Sequence, residues 1–216
     1  MHTFDDLVAR ILARAEEPGT AVIGIAGGPG AGKSTLTDAL LTATRARLGR
    51  RAVGHVPMDG FHLADVELRR LGRLDRKGAP ETFDVAGYAA LLRRIRAGTE
   101  LVYAPGFERD LEQPVAGAIP VFPETAVLLT EGNYLLLDQP GWCSVAAEID
   151  ETWYCRTQDN VRLARLVDRH IAFGKSADAA RHWVDEVDEP NARLVAATAV
   201  RADLVVSVDA VMSHGV

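Results

Sequence analysis

Cysteine is scarce in this chain of 216 residues. The two present, Cys143 and Cys155, are too few for a disulfide framework and too far apart for zinc-ligand or thioredoxin-like spacing. Both read as buried or incidental thiols. Positive charge is outnumbered: 24 Lys and Arg stand against 30 Asp and Glu, a net charge of −6. The surface as a whole therefore does not attract nucleic-acid phosphates or anionic lipid, and any anion site must be local. No apolar run approaches a membrane span. The opening Met1-His2-Thr3-Phe4-Asp5-Asp6 lacks the apolar stretch of a secretory signal. The expected setting is a reducing cytoplasm, with no nucleic-acid or membrane partner. Repeats and low-complexity tracts are missing, and so is the G-x-S-x-G element of an acyl-transfer nucleophile.

What remains is ordinary globular composition, 48% hydrophobic and 25% charged, which excludes disordered, collagen-like and coiled-coil chains. The length allows one well-buried core and is short for two, so residues 1–216 are expected to form a single domain. Leu7, Val8, Ile11 and Leu12 recur at helical spacing and stop before Pro18-Gly19. The uninterrupted apolar run 21–26 reads as a strand covered on both faces. Further strands are expected at 52–58, 101–103, 119–122, 126–130, 152–155 and 202–206, and helices at 65–71, 85–97, 160–173 and 177–187. Alternation of this kind predicts an α/β fold, a doubly wound and mostly parallel sheet with helices on both faces. Ligands then bind beyond the carboxyl ends of the strands.

Just past the first such strand, Gly27-Gly28-Pro29-Gly30-Ala31-Gly32-Lys33-Ser34 satisfies G-x-x-x-x-G-K-[ST], with Thr35 following. Glycines let backbone N–H groups turn inward, and the following helix N-terminus adds partial positive charge, so the loop cradles phosphate. Lys33 is expected to reach the β- and γ-phosphates of ATP, and the Ser34 hydroxyl to hold Mg2+. A glycine-rich turn that binds nothing is the plain alternative; placement between a buried strand and a helix disfavours it. The segment marks a P-loop NTPase. After the second strand comes Asp59, a carboxylate that could accept or orient the proton of an attacking hydroxyl. Its plain alternative is a turn-forming Asp-Gly pair.

These motifs, with Met58-Asp59-Gly60-Phe61-His62, Lys77–Asp84 and Thr130-Glu131-Gly132-Asn133-Tyr134, resemble in order those of the phosphoribulokinase, uridine kinase and type I pantothenate kinase superfamily. The likeness is greatest to a branch labelled nucleoside/nucleotide kinase-like or fructose transport system kinase-like, and spans about residues 20–208. It implies an ATP-dependent kinase for a small hydroxyl compound of nucleoside, pantothenate or sugar class. Asp59 is then the catalytic base, and Glu131 a magnesium-associated carboxylate beside Asn133 on the substrate side. By analogy a homodimer is the expected assembly.

Residues 157–176 resemble the helical lid of these kinases. There Arg162, Arg165 and Arg169 fall at i, i+3 and i+7, on one helical face, where they could clamp phosphates. A solvated face paired with Asp159 and Asp168 would show the same pattern. Substrate-side insertions are expected at 59–84 and 103–118. Within them Phe61, His62, Phe83, Tyr103 and Arg109 are candidate acceptor contacts, each equally readable as packing or loop charge. Around Tyr103 the sequence departs from the common uridine kinase pattern. Two other readings compete: a GTPase-like switch, which lacks its [NT]-K-x-D guanine element here, and a non-catalytic nucleotide-binding regulator, for which Asp59 and Glu131 would be superfluous.

Overall fold

In the computed structural model, which describes residues 2–213, the chain builds nine α-helices and seven strands among those residues. Helix α1 (Phe4–Arg14) starts at a reciprocal cap, the Thr3 hydroxyl accepting from the Asp6 amide and the Asp6 carboxylate from the Thr3 amide. Strand β1 (Ala21–Ala26) is buried throughout and leads into α2 (Lys33–Leu48). There follow β2 (Val53–Pro57), a 3-10 turn Met58–Phe61, α3 (Asp65–Leu71) and α4 (Val85–Ala97), the last capped by Asp84. Next come β3 (Val102–Glu108), β4 (Gln113–Val121), β5 (Val127–Gly132), α5 (Trp142–Ala146) and β6 (Glu151–Arg156). The C-terminal third holds α6 (Asp159–Ala172), α7 (Ala177–Trp183), α8 (Glu189–Ala196), β7 (Leu204–Ser207) and α9 (Val208–Ser213).

Five strands form one parallel sheet in the order β2-β5-β1-β6-β7. Alternation along β1 sends Ile23 and Ile25 to one face, where they pack with α1, α2 and α9. Val22 and Ala26 go to the other, against α4, α5 and α8. The two apolar clusters therefore sandwich the sheet, and its strands read as continuous hydrophobic runs for that reason. In register, Pro57 and Ile25 both lie opposite Glu131. The ends of β1, β2 and β5 thus reach the same edge together.

Two expectations need correction. Segment 101–122 is not a loop bounded by short strands. Strands β3 and β4 pair antiparallel as a ribbon outside the main sheet. Pro105 sits at a register shift between Ala104 and Gly106, where a missing N–H is tolerated. Nor is 177–187 one helix. It ends as α7 at Trp183, continues as a π-helical turn Val184–Asp188, and restarts as α8 with Pro190 in its first turn. No helix among the described residues is long and apolar enough to cross a membrane. The expected single domain includes residues 1 and 214–216, which lie outside the described ones.

Candidate active site

Beyond Ala26 the chain leaves the sheet edge and curls beneath α6. Gly30 adopts φ +76°, and a Cβ there would stand 2.8 Å from both the Arg162 carbonyl oxygen and Leu166 Cγ. Only glycine supplies both the left-handed backbone and the clearance. Gly27, Gly28, Pro29 and Ala31 are buried in the loop wall, Gly32 opens α2, and Thr35 is exposed on its first turn. Lys33, 9% exposed, donates from Nζ to the Gly28 carbonyl at 3.1 Å and to Asn133 Oδ1 at 2.7 Å. Two of its three ammonium donors thus hold it in position. Ser34 Oγ donates to Glu131 Oε1 at 3.0 Å.

These groups open into one cleft of about 180 Å³, which Lys33, Ser34, Asp59, Glu131 and Asn133 all line. Asp59 arrives on the 3-10 turn after β2. Two glycines set that turn close to its neighbours: a Cβ on Gly60 would lie 2.3 Å from the Pro105 carbonyl oxygen, and one on Gly132 2.5 Å from Met58 Cβ. The carboxylate accepts from Arg109 of the ribbon at 3.0 Å. His62 Nδ1 lies 2.8 Å from the Asp59 carbonyl oxygen, which can only accept, so that nitrogen carries the proton. Tyr88 and Thr130 hydrogen-bond beneath, and Thr130 Oγ1 donates to the Val56 carbonyl at 2.6 Å, tying β5 to β2 just below the turn.

The two carboxylates are pushed apart electrostatically. Burial would raise Asp59, but the surrounding His62, Arg109, Lys33 and Arg169 outweigh it and hold the group below its usual range. Glu131 goes the other way: burial, and then the charge of Asp59, push it up, with Lys33 and Ser34 offsetting only part. Burial likewise lowers Lys33 and His62. Of the two, Asp59 is the carboxylate that the surrounding cations keep ionised.

The arginines of α6 share a face but meet different neighbours. Arg169 lines the cleft and makes no side-chain hydrogen bond or ion pair among the described residues. Arg165 lies outside it, paired with Asp209 of α9 at 3.0 Å. Arg162 is buried beneath the phosphate loop, bonded to Glu189 and Asp159 and, at 3.5 Å, to the Pro29 carbonyl. The other acceptor candidates divide as well. His62 and Arg109 line the cleft. Phe61 and Phe83 do not, because they are core: Phe61 stacks on Tyr88 at 4.5 Å, and Phe83 meets the edges of Tyr134 and Trp142. Tyr103, 58% exposed, does not line the cleft. Sequence reasoning missed Lys77, Phe107 and Glu112, as well as the wall from Trp183 to Asn191. Lys77 stands inside a recognised motif and could have been singled out; the π-helical wall carried no local signal.

Among the described residues no group of three or more His, Cys, Asp or Glu is arranged to hold a metal ion. The hydroxyl of Ser34 and the carboxylate of Glu131 do face one another in the phosphate-loop cleft. Those hard oxygen donors fit magnesium, which takes one or two protein ligands and completes its shell with phosphate oxygens and water.

A parallel sheet in this order, with a phosphate loop and a carboxylate converging on one cleft, defines a P-loop kinase of small molecules. The family model for "Phosphoribulokinase / Uridine kinase family" matches residues 22–213, and the chain belongs to that family. A Schizosaccharomyces pombe protein provisionally named a uridine kinase is 35% identical over 210 residues, covering 94% of this chain and 89% of its own. A pantothenate kinase of Mycobacterium sp. (strain KMS) is 29% identical over 187 residues, 81% of this chain and 57% of its own. A crystal structure from Silicibacter sp. TM1040, provisionally described as a fructose transport system kinase, is 38% identical. It superposes with a TM-score of 0.84 over 95% of this chain and 100% of that one. The chain is accordingly an ATP-dependent phosphotransferase with a hydroxyl group as acceptor.

Proposed function

We propose that this chain moves the γ-phosphoryl group of ATP to the hydroxyl of a small molecule held between Asp59 and the ribbon. The observation that carries the reading is that Lys33 and Asp59 line the same cleft. Asp59 takes the acceptor's hydroxyl proton as the new O–P bond forms and the bond to the β-phosphate oxygen breaks, leaving ADP. Lys33 and the loop amides hold the β- and γ-phosphates. Arg169, which makes no side-chain hydrogen bond or ion pair among the described residues, neutralises charge on the phosphoryl group in transit. Magnesium, which Ser34 and Glu131 would hold, supplies further charge neutralisation at the phosphate oxygens. Asn133, which positions Lys33, acts through it.

The test is acceptor-dependent ADP release with magnesium and ATP, wild type against Asp59→Asn. The variant is expected to bind nucleotide normally and to lose about 10²-fold or more in turnover. Full turnover in the variant would remove Asp59 from the mechanism. GTP hydrolysis indifferent to every acceptor would favour a switch instead.

A further inference from the structure

The part of the cleft walled by the ribbon tip carries more hydrogen-bond donors than the protein uses. A guanidinium has five N–H donors; Arg109 directs one to Asp59 and makes no other side-chain hydrogen bond among the described residues. The Lys77 ammonium donates to Asp65 Oδ1 at 2.7 Å and to the Glu112 carbonyl, which leaves its third N–H. Both cations converge on one ring. The Arg109 guanidinium carbon lies 5.2 Å, and Lys77 Nζ 5.8 Å, from the centroid of Phe107. The Lys77 contact also fixes Glu112, a non-glycine residue at φ +51° in the ribbon tip.

Among the described residues the ribbon side of the cleft offers one phenyl ring, Phe107, while Phe173 and Trp183 line the cleft from the ends of α6 and α7. A neutral nucleoside would be held by stacking its base on an open aromatic face. Phe61 and Phe83 are in the core, and the ring of Phe107 already faces two cations.

Charge balance points the same way. When Asp59 accepts the hydroxyl proton it becomes neutral, and Arg109 loses its counter-charge in a half-buried position. An anionic group on the acceptor replaces that charge when it is needed. We infer that the acceptor is a small hydroxyl compound bearing its own carboxylate or phosphate, gripped by Arg109 and Lys77, and not a neutral nucleoside or sugar. The inference rests on the kinase reading above.

The experiment is ADP release by the full chain with magnesium and ATP over acceptors paired by charge. Glycerate is set against glycerol, pantothenate against pantothenol, ribose 5-phosphate against ribose, and uridine stands as the neutral nucleoside. Charged members are expected to exceed their neutral partners by about tenfold or more in kcat/KM, the worth of one or two charge-assisted bonds. Whether hydroxy acids or sugar phosphates respond tells which anion is read. Lys77→Met and Arg109→Gln are each expected to raise the acceptor KM by about tenfold with the KM for ATP unchanged. Turnover led by uridine, ribose or glycerol overturns the anionic assignment and leaves the kinase reading standing. ADP release indifferent to every acceptor, charged or neutral, overturns both.

Discussion

Lys33 ties the two halves of the site together, since one side chain touches the loop carbonyl of Gly28 and the Asn133 amide at the end of β5. Its place in the cleft was legible because the phosphate-loop pattern fixes spacing and residue type at once, and no other use of the string is common. Replacing Lys33 with Ala should abolish the rise in melting temperature caused by magnesium and ATP while the nucleotide-free protein stays folded; an undiminished rise would contradict the assignment. The position of Asp59 in the same cleft was equally readable. The pairing of its carboxylate with Arg109 was not, because the partners come from sequence-distant turns whose approach depends on the ribbon. Phe61 and Phe83 show the converse limit. Aromatic residues beside a site motif look like pocket walls until packing decides, and here burial against Tyr88, Tyr134 and Trp142 decided for the core.

Among the elements, the ribbon β3–β4 carries Arg109 into the cleft, and it packs tightly on the turn that carries Asp59 at Gly60. Gly60 sits where any side chain would run into the Pro105 carbonyl oxygen, 2.3 Å from an added Cβ. Gly60→Ala must therefore move either the turn carrying Asp59 or the strand leading to Arg109. The expected result is a turnover loss on the order of 10²-fold from misplacement alone. A destabilisation of about 1–3 kcal/mol should accompany it, with nucleotide-dependent stabilisation preserved. Wild-type turnover in this variant would show that the approach is slack. The main strands and α4 were legible from hydrophobic period and caps. The ribbon was obscured by Pro105 and Pro114, which resemble breakers in a sequence but lie in a two-stranded edge structure. The turn Val184–Asp188 was obscured because its helical period continues while its hydrogen-bond pattern changes.

For the molecule as a whole, strand and helix alternation predicted the parallel sheet, whereas strand order and register belong to long-range packing that no local pattern encodes. A net negative chain with a cleft rich in Lys and Arg also fits the early inference that anion binding is local. One buried group should be felt in global stability. His55 Nε2 on β2 has no hydrogen-bond partner among the described residues, and burial, with Arg45 nearby, pushes the ring's pKa down to about 4 from 6.5. The unfolded chain binds this proton below about pH 6.5 while the native chain resists it until about pH 4, so the stability present at neutral pH is lost as pH falls through that window. The loss from this group is up to about 3 kcal/mol. Urea unfolding at pH 7 and pH 4.5 should show a smaller acid loss in His55→Leu than in the wild type; equal losses would acquit the histidine. Arg162 carries a last lesson for anyone scanning the lid by mutagenesis. Bolted between α8 and the underside of the ATP cradle, it is a bracket behind the wall. Weakened nucleotide affinity after its removal would report sagging masonry and not a lost handshake with the ligand.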